Sequence, residues 1–188
     1  MIPARLTSTS ALPLGRFPTT VAEIEAEFVT DARWAASTTR QEIWGHFQEA
    51  CAELNAVVPI AWLWLAGSFV TDKMDPDDLD IVFWVEDTEL AHVADLTERL
   101  LLHVVATNQT RSVTGRRLDT FLLAWHVDPT AHMVHTERYL AYARDRGQWD
   151  DFWQRMRSGP KGGPGVREDA LQRRGYLEVQ WSGGSDAF

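Results

Sequence analysis

The stretch AGSFVTDKMDPDDLDIVFWV (66–85) decides how this chain is read. Its second half, LDIVFWV (79–85), is an apolar run of strand length, and so is the segment before it, IAWLWLA (60–66). Neither alternates apolar with polar residues, which marks a strand covered on both faces. Between them, MDPDD has the composition of a turn. Downstream, LDTFLLAWHV (118–127) reads as a third strand and YLEVQW (176–181) as a short final one.

Helices fill the intervals. Thr20 and Glu23 form a capping box ahead of Val21, Ile24 and Phe28. Thr39 and Glu42 repeat the signal ahead of Ile43, Phe47, Cys51 and Leu54, which share one helical face. Pro59 closes that helix. A third helix is expected from Asp87 to about Val105, then a polar stretch, TNQTRSVTGRR, and a fourth helix over 131–157. SGPKGGPG (158–165) is a loop. The order ααβ–loop–βαβα–loop–β predicts an α/β (α+β) domain: a mixed sheet of three core strands plus a C-terminal strand, flanked by helices. Residues 1–18, with three prolines, read as an extended arm, 19–181 as the domain and 182–188 as a frayed tail.

The chemistry concentrates at the two ends of the loop. Residues two apart in a strand share a face, so Asp78 and Asp80 are expected on one side at the start of their strand. Asp80 lies between Leu79 and Ile81 in an otherwise buried run. An ionised carboxylate there costs several kcal/mol unless paired or metal-bound. Hard oxygen ligands select Mg²⁺ or Mn²⁺. Gly67-Ser68, at a strand end, lets a phosphate approach backbone N–H donors, with the serine hydroxyl adding one more. Asp119, also embedded in an apolar run, completes a three-carboxylate set if its strand lies beside that of Asp80. Two alternatives stand beside that reading: Asp119 pairs with Arg116 or Arg117, or Glu178 is the third ligand.

Gly67-Ser68, nine residues, then Asp78-Leu79-Asp80-Ile81 resembles the signature of the polymerase-β-like nucleotidyltransferase superfamily. There a strand ends in Gly-Ser or Gly-Gly, and Asp-x-Asp or Asp-x-Glu opens the next. The run GSFVTDKMDPDDLDIV, with PLGRFPTTVAEIEAEFV before it and RRGYLEVQW near the end, is similar to a small bacterial and phage branch of unknown function. The resemblance implies a nucleotidyltransferase-like fold that moves a nucleoside monophosphate from a triphosphate to a hydroxyl of a protein, RNA or small molecule. It assigns Asp78, Asp80 and Asp119 as metal ligands, Asp119 also as base, and Gly67 and Ser68 as triphosphate contacts. Members often carry an Arg and a Gly shortly after the Gly-Ser. This chain has Thr71-Asp72-Lys73, which leaves Lys73 for the phosphate contact, with the acidic Asp72 and Asp75 beside it.

Charge and composition bound the partners. A formal net charge of −9 argues against general DNA or RNA binding, which rewards clustered Lys and Arg. No apolar run is long enough for a membrane span, and MIPARLTSTSALPLG lacks the apolar segment of a signal peptide. With the lone Cys51, this predicts a cytoplasmic protein. The nine tryptophans read as core or cleft residues. His132 and His135, three apart on a helix, have no third ligand nearby in sequence. His46, His92 and His103 read as solvated or core-edge residues. The competing function is a binding module that keeps the fold without turnover, as in a toxin–antitoxin or phage–host pair.

Overall fold

A computed structural model of the chain describes residues 1–128, 130, 136–159 and 162–181. His132, His135, Lys161 and the tail 182–188 fall outside the described residues. The elements in order are β1 (Gly15–Thr19), α1 (Val21–Glu25), α2 (Arg40–Val57), β2 (Ile60–Ala66), β3 (Leu79–Glu86), α3 (Asp87–His92), α4 (Leu96–Ala106), α5 (Thr110–Thr114), β4 (Leu118–Trp125), α6 (Glu137–Gln154) and β5 (Gly175–Gln180).

The strands form one mixed sheet in the order β1-β5-β2-β3-β4. β2 is antiparallel to both neighbours, β3 and β5, while β4 runs parallel to β3 and β1 parallel to β5. The fold is α+β, with a five-stranded mixed sheet flanked by helices. The fifth strand is β1, the end of the segment read from sequence as an arm. Glycine makes that pairing possible: a Cβ on Gly175 would lie 2.2 Å from the carbonyl oxygen of Pro13.

Strand parity divides the core into two layers. Leu63, Leu65, Ile81, Phe83 and Val85 face α1, α2 and α4, where Ile24, Phe28, Ile43, Phe47, Cys51 and Leu54 are buried with them. The alternate residues Trp64, Ala66, Val82, Trp84 and Tyr176 face α6, packed with Trp153 and flanked by Trp149, Tyr142 and Phe121. Ring centroids lie 5.0 Å apart for Trp64–Trp84 and 5.0 Å for Trp64–Tyr176, an ordinary spacing for aromatic pairs. The both-sided apolarity of β2 and β3 follows from having a layer on each face.

Helix boundaries differ from expectation where side chains found other partners. The Thr20/Glu23 capping box forms, with Glu23 N–H donating to Thr20 Oγ1 at 3.1 Å and Thr20 N–H to Glu23 Oε2 at 3.1 Å. The second box does not form. Thr39 makes no side-chain cap; Ser37 Oγ accepts from Arg40 N–H at 3.2 Å and Asp75 accepts from Thr38 N–H at 2.7 Å. The expected long third helix is broken in two, because Asp95 accepts from the N–H groups of Thr97 and Glu98 and starts α4 afresh. The polar stretch after it contains α5, held where Thr110 Oγ1 meets Thr120 Oγ1 of β4 at 2.6 Å. Among the described residues no helix is long and apolar enough to cross a membrane.

Candidate functional site

The register of the sheet gathers the candidate residues at one end. Ala66, the last residue of β2, pairs with Asp80 on β3, and Asp80 pairs with Asp119 on β4. Register partners on neighbouring strands point to the same face. Val82 and Ala66 place that face on the tryptophan side of the sheet. Asp80 and Asp119 therefore stand side by side, level with the last residue of β2. Asp78 precedes β3 rather than lying within it, its side chain mostly buried.

Gly67 shapes the floor of this end. Its backbone holds φ +80° and ψ −160°, a region essentially reserved for glycine. A Cβ built there would fall 1.6 Å from Asp80 Oδ2, so the Asp80 carboxylate occupies the space that a side chain at 67 would need. Ser68 follows in a single 3₁₀ turn, Ser68–Val70, and its carbonyl accepts from Thr71 Oγ1 at 2.7 Å. Arg40, at the start of α2, fastens the rest of the loop. Its buried guanidinium donates to the carbonyls of Phe28, Phe69, Thr71 and Lys73 at 2.6–3.0 Å, and stacks 3.8 Å from the Trp34 ring. Burial pushes its pKa down to about 10, which leaves it charged at neutral pH.

The loop carboxylates are committed elsewhere. Asp72 pairs with Arg5 of the N-terminal segment, which also donates to Glu27 at 2.8 Å. Asp75 faces the start of α2, and the Thr38 N–H, followed by the Ser37 and Thr38 hydroxyls, holds its pKa below the ordinary value. The charge that the sequence placed beside Lys73 is thus met from within the fold. Lys73 itself is exposed, with its carbonyl held by Arg40.

Two arginines, unremarked in the sequence, bring positive charge to the carboxylates. Arg111 on α5 contacts Asp78 at 3.0 Å and Asp77 at 3.1 Å. Its hydrogen bond to Asp77 comes first in raising its pKa, and the charges of Asp77, Asp78 and Asp119 add to it. The Thr110–Thr120 hydroxyl pair sets its position against β4. Arg174, just before β5, donates to the Trp153 carbonyl at 3.0 Å; burial lowers its pKa while the charge of Asp80 opposes that shift. Neither arginine is marked by periodicity. The only sequence signal for Arg111 is its place in a polar stretch leading into the strand that carries Asp119.

The remaining candidates are drawn away. Arg116 pairs with Glu49 and Glu53, tying the start of β4 to α2, and Arg117 pairs with Glu42 of α2 and with Asp77 of the loop before β3. Glu178, the alternative third ligand, pairs in register with Trp64, two residues short of Ala66. It accepts from Trp64 Nε1 at 2.7 Å and faces Arg16 and Arg146. Among the described residues no three His, Cys, Asp or Glu side chains are grouped as metal ligands.

Residues 4–180 match a family described as a family of unknown function, DUF6932. The chain belongs to that family. No curated protein and no solved structure matches it. The DUF6932 match runs from before β1 to the last residue of β5, so every residue that builds this end of the sheet lies inside it.

The donor set fits a hard divalent cation in kind. Asp80 and Asp119 offer adjacent carboxylates, and the missing side chain at Gly67 leaves room for one of them. Arg111, exposed on a short helix, supplies the opposing charge at Asp78 in this structure.

Proposed function

We propose that the chain is a metal-dependent nucleotidyltransferase that moves a nucleoside monophosphate from a nucleoside triphosphate to a hydroxyl. The observation that carries the reading is the register of Asp80 beside Asp119, with the Asp80 carboxylate seated over Gly67 at the end of the preceding strand. That arrangement suits the superfamily pattern which the Gly-Ser and Asp-x-Asp spacing resembles. Asp78, Asp80 and Asp119 would hold Mg²⁺ or Mn²⁺. When bound, the cation neutralises phosphate oxygens and aligns the transferred group. The backbone around Gly67 and Ser68, with Lys73 from the same loop, would bind the triphosphate. Asp119 would take the proton of the attacking hydroxyl. That oxygen bonds to the α-phosphorus, and the bond from phosphorus to the bridging oxygen breaks. Pyrophosphate leaves with the electron pair.

A second reading, a binding module on the same fold, is favoured by Arg111 at Asp78 and Arg174 toward Asp80, since guanidinium groups there do the neutralising a metal would do. Thermal unfolding with Mg²⁺ or Mn²⁺ and each triphosphate, alongside transfer of an α-phosphate label, separates the two. The enzyme raises its Tm with metal and triphosphate together and transfers label, and Asp80→Asn loses both. Ser68→Ala weakens triphosphate binding by about tenfold to a hundredfold, the equivalent of one hydrogen bond to a charged group. Arg111→Ala, which frees Asp78, tightens metal binding in the enzyme. No Tm response at millimolar metal and no label transfer would leave the binding module.

A further inference from the structure

On the same face of β4, two residues beyond Asp119, Phe121 leaves the carboxylate end and enters an aromatic group on α6. The Phe121 and Trp149 rings lie 4.4 Å apart, Trp149 and Phe152 5.7 Å apart and edge-on. Together with Gln148, Asp151 and Arg155 they line a pocket of about 380 Å³, within the usual range of small-molecule sites, ~300–1,000 Å³. Phe152 is 54% exposed although it is a large aromatic. Trp153, one residue on, is buried in the layer beneath.

We propose that this pocket binds the nucleobase of the acceptor, which is therefore a nucleoside carrying the hydroxyl to be modified. The inference rests on the nucleotidyltransferase reading of the carboxylates and adds the substrate class. Position supports it. Gly67-Ser68, the triphosphate side, directly follows β2, then come Asp80 on β3 and Asp119 on β4, and the pocket opens beyond Asp119. Asp119 and Phe121 are separated by two strand rises of ~3.3 Å, so a ring in the pocket brings its sugar toward the Asp119 carboxylate. Chemistry supports it too. Exposed aromatic faces stack any base, while Gln148 and Arg155 offer an amide and a guanidinium to the polar edge of the ring. Arg155 is steadied by Asp151, which Gln172 also contacts at 3.1 Å. An aliphatic polyol or a serine or threonine side chain would leave the aromatic wall unmatched.

Titration of 2-aminopurine riboside without metal reads the pocket alone, because the emission of that base falls when it stacks. The wild-type chain quenches it, and Phe152→Ala weakens binding by about tenfold, the loss of one stacking face at ~1–3 kcal/mol and ~1.4 kcal/mol per decade. Circular dichroism confirms that the exposed Phe152 can be removed without unfolding. Asp80→Asn leaves the quenching unchanged. Competition by adenosine and by a short single-stranded oligoribonucleotide distinguishes a free nucleoside from a strand end, the oligonucleotide competing better in the second case. No quenching at millimolar riboside, or quenching untouched by both Phe152→Ala and Trp149→Leu, overturns the proposal. Quenching that survives a failed metal and triphosphate test sinks the enzyme reading instead, so the two failures are distinct.

Discussion

At Gly67 two constraints meet that can be measured apart. The backbone sits at φ +80°, ψ −160°, and the Asp80 carboxylate fills the position of the absent Cβ. An alanine at 67 pays for strain of about 1–3 kcal/mol from the backbone alone. Displacing Asp80 adds to that figure. In an Asp80→Ala background the displacement cost vanishes and the backbone cost stays, so the two substitutions are strongly non-additive. Urea unfolding of the four proteins in the cycle measures this. An equal Gly67→Ala cost in both backgrounds would mean that the carboxylate does not lie against residue 67. The Gly-Ser and Asp-x-Asp pair was legible from spacing, yet the contact between its two halves was not. It depends on the antiparallel register of β2 on β3, which no local pattern encodes. The same holds for Arg111 and Arg174, whose partners are 33 and 94 residues away in the chain.

Elements were legible to the degree that burial alone decides them. β2 and β3 are almost wholly apolar, and β4 continues as FLLAW after Asp119 and Thr120. β5 places Tyr176, Leu177 and Val179 in the core, and α2 carries Ile43, Phe47, Cys51 and Leu54 along one buried stripe. GRFPT of β1 has neither run nor alternation, and it becomes a strand only because β5 offers an open edge. The break between α3 and α4 turns on one side chain, Asp95, which supplies a cap inside an otherwise periodic pattern. The start of α2 is the instructive case. Its capping signal, Thr39 with Glu42, is unused, and Arg40 instead binds four carbonyls on two other segments. Arg40→Met keeps the apolar stem and orphans those carbonyls. With bonds to a charged group worth ~1.5–3 kcal/mol each and not additive, the expected loss is at least about 3 kcal/mol. Amide exchange should speed up at Thr71, whose N–H is held by Ser68. A variant that loses stability without faster exchange at Thr71 would show that Arg40 serves the Phe28 side alone.

For the whole molecule, the strand order makes the first and last strands one structural unit. β5 lies between β1 and β2, so the N-terminal segment and the last strand complete the sheet together. The segment before β1 is equally committed: Leu12 is 1% exposed, its carbonyl accepts from Gly175 N–H at 3.1 Å, and Arg5 holds Asp72 beside the Gly-Ser loop. This part is therefore no detachable arm, and its loss should propagate through β5 to Arg174 and the carboxylates. Leu12→Ala tests that. Removing a buried leucine side chain costs about 2–5 kcal/mol depending on how well the site collapses. If the sheet unfolds as one unit, near-ultraviolet signals from the tryptophan layer and far-ultraviolet signals from the helices shift to the same lower temperature, since a two-state transition gives coincident probes. The tryptophan layer is a fair reporter, because Trp64 and Tyr176 pack in it from β2 and β5 while Leu12 lies in the opposite layer. Were the N-terminal segment independent, Leu12→Ala would leave the tryptophan transition at the wild-type temperature.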